Sequence, residues 1–196
     1  MDQQIILASG LKARKIMMDT LGIPYIIIPA NIDEKIIRDS NLRLRAEKIA
    51  RAKAENVLLN HNGIIIAADT FAVLDGKVLE KPQSLAEARD MLKMQSNNTG
   101  IMYTGFCYID KTNNISFSAT TMTNYTFRNL SDDEINNFVA NNPVMEWAGA
   151  FSSSYTYQLG FICKLEGSLT GLTHGLPVEL LIPCFLKSGV KIKSPS

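Results

Sequence analysis

The stretch IIIAADTFAVLDGKVLEKP, residues 64 to 82, sets a buried strand and a tight turn side by side. Three isoleucines and two alanines predict a strand covered on both faces, yet the run ends in Asp69. A lone carboxylate there loses its hydration unless a nearby group offsets that cost. Asp75-Gly76 is a strong two-residue hairpin signal, so the strand is expected to fold back through KVLEK. With that turn Leu74 pairs with Lys77, and counting onward brings Thr70 opposite Lys81 and Asp69 opposite Pro82. Asp69 and Lys81 end up close together, although strict alternation puts their side chains on opposite faces. A joint role then needs a bulge, a strand end or the reach of the lysine stem, and a structural ion pair explains the two equally well.

Around this hairpin the chain alternates strand-like and helix-like segments. QIILA (4–8) and PYIIIPA (24–30) read as strands, and LKARKIMMDTLG reads as a helix stopped at Gly22. Residues 41–59 are helical by period. SLAE (84–87) and SDDE (131–134) are capping boxes that open two further helices. IMYTGFCYI and ISFSATTMTNYTF look like antiparallel partners, and GFICKLEG is a last strand before a Pro-initiated helix at LPVELLI. The class is α/β with mixed sheet character.

Composition narrows the setting. A chain of 196 residues with 46% apolar content fits one domain over 1–196, or two lobes sharing one core, with a tail at 191–196 expected to fray. The net charge of +1 favours neither nucleic acid nor an anionic membrane, so any anion site is local. The longest apolar run is too short to span a bilayer, and MDQQIILASG lacks a secretory n-region, which predicts a cytoplasmic protein. Cys107, Cys163 and Cys184 have no CxxC spacing and read as reduced core residues.

The charges then fall on definite elements. In the helix at 41–59, Leu42, Ala46, Ile49, Ala50 and Val57 form one stripe, and Lys53 sits in its middle. An inward lysine either snorkels to an edge or meets a negative partner. The first strand ends in ASGLKARK, where Ser9, free helix-start N–H groups and Arg14 make a plausible phosphate seat, although no P-loop or GxGxxG is present. Glu34 follows the second strand in NIDEK. Two acids, two lysines and an arginine, near strand ends or facing inward, suit metal-assisted phosphoryl chemistry: carboxylates hold a divalent cation and activate water, and cations offset phosphate charge.

In order, over residues 5 to about 187, ILASGLKAR, NIDE, ARAKAE, AADTFAVLDGKVLEKP, MYTG, EWAGAF and GLP resemble the Maf family of nucleoside triphosphate pyrophosphatases. The resemblance implies an elongated, two-lobed, mixed-sheet α/β fold with a central cleft, often dimeric. The implied activity is hydrolysis of a nucleoside triphosphate, ordinary or modified, to the monophosphate and pyrophosphate with Mg²⁺ or Mn²⁺. By matching position, Asp69 is the implied proton acceptor, with Glu34, Lys53 and Lys81 completing the catalytic set, Glu34 and Asp69 as metal ligands, and Ser9 and Arg14 in the phosphate loop.

The departures are specific. The family loop reads S-x-S-P-x-R, and this chain has Leu11 and Lys12 where Ser and Pro are expected, with Lys12 able to compensate electrostatically. Ser154 is the nearest match, across a one-residue gap, to the family's base-reading Gln or Glu. At the place of Ala13 the dTTP/UTP subgroup has Arg and the 7-methyl-GTP subgroup Trp, whereas Thr70 agrees with the first. These changes keep open an alternative: a catalytically weakened nucleotide-binding regulator of septum formation.

Overall fold

A computed structural model describes residues 3–153 and 156–192. Among them the chain forms β1 (Ile5–Leu7), α1 (Lys12–Thr20), β2 (Ile26–Ile27), α2 (Leu42–Leu58), β3 (Ile64–Leu74), β4 (Lys77–Leu79), α3 (Leu85–Gln95), β5 (Thr99–Asp110), β6 (Ile115–Phe127), α4 (Asp132–Asn141), α5 (Thr156–Leu159), β7 (Ile162–Glu166), α6 (Leu169–His174) and α7 (Val178–Lys187). The strands make one mixed sheet in the order β2-β1-β3-β5-β6-β7, with β4 on β3. The α/β class expected from the sequence is the class observed. Among the described residues no helix is long and apolar enough to cross a membrane.

The chain divides into two compact units: the first holds the described residues up to Thr70, Tyr103–Thr121 and those from Thr170 on, and the second holds Phe71–Met102 and Met122–Leu169. In the first, β1 runs parallel to both neighbours, with Ile6 opposite Ile26 and Ile65. Parallel strands are covered on both faces, which is why β1 and the start of β3 are continuous apolar runs. The alternation along β3 sorts them. Ile64, Ile66 and Ala68 face Met18 of α1 and Leu181 and Phe185 of α7, with Phe106 and Tyr108 beside them on the sheet. Ile65 and Ala67 face Ala50, Ala54 and Val57 of α2. By this period-two rule Asp69 belongs to the α2 face and Thr70 to the opposite one.

In the second unit, Asp75 and Gly76 take φ of 49° and 74°, the paired left-handed turn that the Asp-Gly signal predicts, and Leu74 pairs with Lys77. Ser84 and Ser131 accept from the N–H groups of Glu87 and Glu134, which start α3 and α4. An aromatic cluster fills this unit, with Phe127–Phe151 and Phe138–Phe161 centroids 4.8 and 5.0 Å apart in edge-on geometry.

Two expectations are corrected. The strand over 24–30 shrinks to Ile26–Ile27, because it is an edge strand and Pro24 and Pro29 lack the N–H a longer ladder needs. Cys107 and Cys184 are buried free thiols, but Cys163 is exposed on the edge strand β7. Of the tail read as fraying, Ile192 packs partly against the first core and 193–196 lie outside the described residues.

Gly105 shows how closely α2 approaches the sheet: a Cβ there would stand 2.0 Å from the Ala46 carbonyl oxygen. Gly105→Ala is expected to lower the unfolding free energy by about 3 kcal/mol through overpacking. Urea unfolding followed by circular dichroism measures this, and a loss below about 1 kcal/mol would contradict the packing described.

Candidate active site

Helix α2 begins where Asn41 Oδ1 accepts from the N–H groups of Arg43 and Leu44. Three turns later its inner stripe presents Lys53, flanked by buried Ala50, Ala54 and Val57. Since Asp69 lies on the α2 face of β3, the two meet: Lys53 Nζ donates to Asp69 Oδ1 at 2.8 Å. The same nitrogen stands 2.8 Å from Glu34 Oε1. Glu34 is held by a single 3₁₀ turn over Glu34–Ile36, capped by Asp33 Oδ1 accepting from the Lys35 N–H.

Burial differs along this row. The Lys53 and Asp69 side chains are 11% and 10% exposed, whereas that of Glu34 is 49% exposed. Glu34 therefore closes the pair from the solvent side. An ammonium has three N–H donors, and the carboxylates use two of them. The third, with the second oxygen of each carboxylate, supplies donor and acceptor capacity at the mouth of the row.

On the other face of β3 a second network forms around Arg14, itself 5% exposed. Its Nε donates to the Gly175 carbonyl at 2.9 Å, its Nη1 to Ser9 Oγ at 2.8 Å and its Nη2 to Thr70 Oγ1 at 3.1 Å. Burial pulls the Arg14 pKa below its ordinary value, and the charges of Asp69 and Glu34 oppose that shift. Ser9 Oγ also accepts from the Leu11 N–H at 3.3 Å. Both lone pairs of the hydroxyl are thus engaged, so its proton is left to donate to an outside acceptor. Thr70 Oγ1 lies 3.4 Å from Thr104 Oγ1, and Thr104 donates to the Gly171 carbonyl at 2.9 Å.

The residues singled out from sequence fall into distinct groups. Glu34, Lys53 and Asp69 form one contiguous cluster, and Ser9, Arg14 and Thr70 form another in the same unit. Arg14 spends three of its donors inside the protein, so it orients Ser9 and Thr70 rather than standing open as a fork. Lys12 is exposed in the first turn of α1, whereas Ala13 is buried and presents no polar group. Lys81 belongs to the second unit, exposed two residues beyond β4. The β3–β4 ladder ends at Ala72 opposite Leu79, so no strand pairing underlies the count that took Lys81 to Thr70. Ser154 lies outside the described residues.

Gly175 escaped the sequence reading. It has φ +62°, and a Cβ on it would stand 2.8 Å from Thr70 Oγ1 and 3.3 Å from Arg14 Nη2. The signal was present, since Gly after a helix and shortly before Pro marks a left-handed cap, but a cap does not announce which arginine its carbonyl holds.

A divalent cation suits this donor set in one particular form. Among the described residues no group of three or more His, Cys, Asp or Glu side chains converges, so a complete protein cage is not built. Two hard carboxylates on one row, Asp69 and Glu34, suit Mg²⁺ or Mn²⁺ that completes its shell with substrate oxygens and water.

An α/β protein whose buried lysine joins two carboxylates, beside a serine and arginine loop, has the parts that polyphosphate chemistry uses. Residues 4–187 match the family model described as Maf-like protein, so the chain belongs to the Maf-like family. It is 34% identical over 187 residues to a protein of Syntrophomonas wolfei named dTTP/UTP pyrophosphatase, covering 95% of this chain and 98% of that one. Over 178 residues it is 33% identical to a dTTP/UTP pyrophosphatase of Alkaliphilus oremlandii, covering 90% and 91%. A Synechococcus protein named nucleoside triphosphate pyrophosphatase is 33% identical over 179 residues, covering 90% of each.

Removing one partner of a buried pair strands the other. Lys53→Met is expected to cost about 3 kcal/mol of stability, and Lys53→Met with Asp69→Asn less than the sum of the single changes. Chemical denaturation of the four proteins measures the coupling; strict additivity would contradict it.

Proposed function

We propose that the chain is a nucleoside triphosphate pyrophosphatase, cleaving its substrate to the monophosphate and pyrophosphate, with dTTP and UTP the first candidates. The observation that carries this reading is Lys53 held between buried Asp69 and half-exposed Glu34 in a chain of this family. Names borne by the relatives supply the reaction class.

In this proposal water is the nucleophile. As its oxygen forms a bond to the α-phosphorus, its proton passes to Asp69, through the carboxylate oxygen that Lys53 does not hold. The bond from the α-phosphorus to the bridging oxygen breaks, and pyrophosphate leaves with that oxygen and its electron pair. Lys53 offsets charge on the phosphate oxygens with its remaining N–H. Ser9 donates its one available proton to a phosphate oxygen. Glu34 and Asp69 would hold Mg²⁺ or Mn²⁺, which would supply neutralisation of the polyphosphate charge. Lys12 adds a cation near the start of α1, where Leu11 has replaced a hydroxyl. Lys81 enters the proposal through the family motif, as a further cation of the catalytic set.

The test is pyrophosphate release over a panel of canonical and modified nucleoside triphosphates with Mg²⁺. Turnover is expected, with Asp69→Asn lowering kcat by about 10³-fold while its thermal unfolding stays cooperative. Nucleotide binding without turnover by the unsubstituted protein would contradict the proposal and favour the regulator.

Chelation gives a separate check. EDTA is expected to abolish pyrophosphate release and added Mg²⁺ or Mn²⁺ to restore it; full activity in chelator would remove the metal from the proposal.

A further inference from the structure

Gln95, the last residue of α3, is 2% exposed, and its amide is fully engaged within the second unit. Its Nε2 donates to the Met91 carbonyl at 3.1 Å and to the Gly149 carbonyl at 2.7 Å. Its Oε1 accepts from the Tyr125 hydroxyl at 3.1 Å. Tyr125 is itself locked, since a Cβ on Gly100 would stand 2.6 Å from the hydroxyl end of its ring. None of these groups has a part in the chemistry proposed above.

What the amide grips is a backbone in an uncommon state. Gly149 and Ala150 are both left-handed, with φ of 66° and 56°. For alanine that conformation is strained, and it persists where its surroundings over-determine it. A Cβ on Gly149 would meet Leu79 Cδ1 at 3.0 Å. The Gly149 N–H points the other way along the chain of contacts and donates to the Glu80 carbonyl at 2.9 Å. Glu80 is the residue before Lys81, in a stretch where the β4 ladder has already ended. With no strand pairing beyond Leu79, this bond holds the peptide on the N-terminal side of the lysine, and Gln83 Nε2 donates to the Lys81 carbonyl on the other at 3.1 Å.

We propose that Gln95 is a positioning residue for Lys81: it clamps the strained Gly149 turn, and that turn holds Glu80 and hence the Lys81 backbone. The inference rests on the reading of Lys81 as a catalytic cation. It gives the EWAGAF motif a mechanical job. Gly149 is there because only glycine fits against Leu79 with that φ, and Gln95 is there because only an amide reaches two carbonyls and a hydroxyl at once.

The experiment has two arms. In the first, kcat and KM are measured for Gln95→Met, Lys81→Ala and the double variant. Gln95→Met is expected to lower kcat roughly tenfold with KM nearly unchanged, since a misplaced group loses transition-state stabilisation. In the double variant the Gln95 change is expected to add nothing to the Lys81→Ala loss. A purely structural glutamine would lower kcat by the same factor in both backgrounds, and that result would overturn the proposal. In the second arm, amide hydrogen exchange is followed in Gln95→Met and in the milder Tyr125→Phe. The Gly149 amide is expected to exchange roughly tenfold faster while the β3 amides of Ile64–Ala68 keep their protection. Unchanged exchange at Gly149 would overturn the clamp. If the unsubstituted protein releases no pyrophosphate, the proposed activity falls by itself, and the exchange arm decides the clamp without it.

Discussion

A lysine ammonium buried under one helix has to be neutralised, and the first unit is arranged around that requirement. Lys53 stands in the middle of an otherwise apolar stripe of α2, so Asp69 is drawn into the sheet opposite it and Glu34 is brought over the top. Neither carboxylate is a good strand or core residue alone. Their attraction to one nitrogen competes with desolvation of three charges, and such an arrangement contributes little net stability compared with an apolar replacement. What it yields is a set of hydrogen-bonding atoms held in fixed relation before any substrate arrives, which is the condition for electrostatic catalysis.

The period of two along β3 does the sorting. Ile65, Ala67 and Asp69 look toward α2, and Ile64, Ile66, Ala68 and Thr70 look the other way. Two adjacent residues therefore serve two networks, one built on Lys53 and one on Arg14. The second has its own economy of donors: Arg14 Nη1 and the Leu11 N–H each occupy one lone pair of the Ser9 hydroxyl, and this converts an ambiguous hydroxyl into a directed donor. A glycine at 175 is the geometric condition for it, because any side chain there would occupy the space of the Thr70 hydroxyl.

Much of this was legible in the sequence, for physical reasons that differ by element. The Asp-Gly turn and the Leu74–Lys77 pair were readable because turn chemistry is local. The inward lysine is readable from helical period, but the same period leaves it either snorkelling or meeting an acid, and that Asp69 is the acid comes only from the packing of α2 on β3. The length of β2 was not readable, because two prolines on an edge strand weigh against a run of isoleucines that period alone favours. Cys163 was misjudged because composition cannot tell an edge strand from a central one. The Lys81 pairing failed because counting along a hairpin assumes the ladder continues, and it stops at Leu79. Gly175 and the grip of Gln95 on Gly149 were out of reach, since both join segments about fifty residues or more apart by a single carbonyl.

The most direct test of the central claim, that Asp69 and Lys53 serve attack of water on the α-phosphorus, is hydrolysis of a nucleoside triphosphate in ¹⁸O-labelled water. Mass spectrometry of the products should find the label in the nucleoside monophosphate, with the pyrophosphate unlabelled. Label in the pyrophosphate, or release of orthophosphate as the first product, would place the attack at another phosphorus and contradict the account.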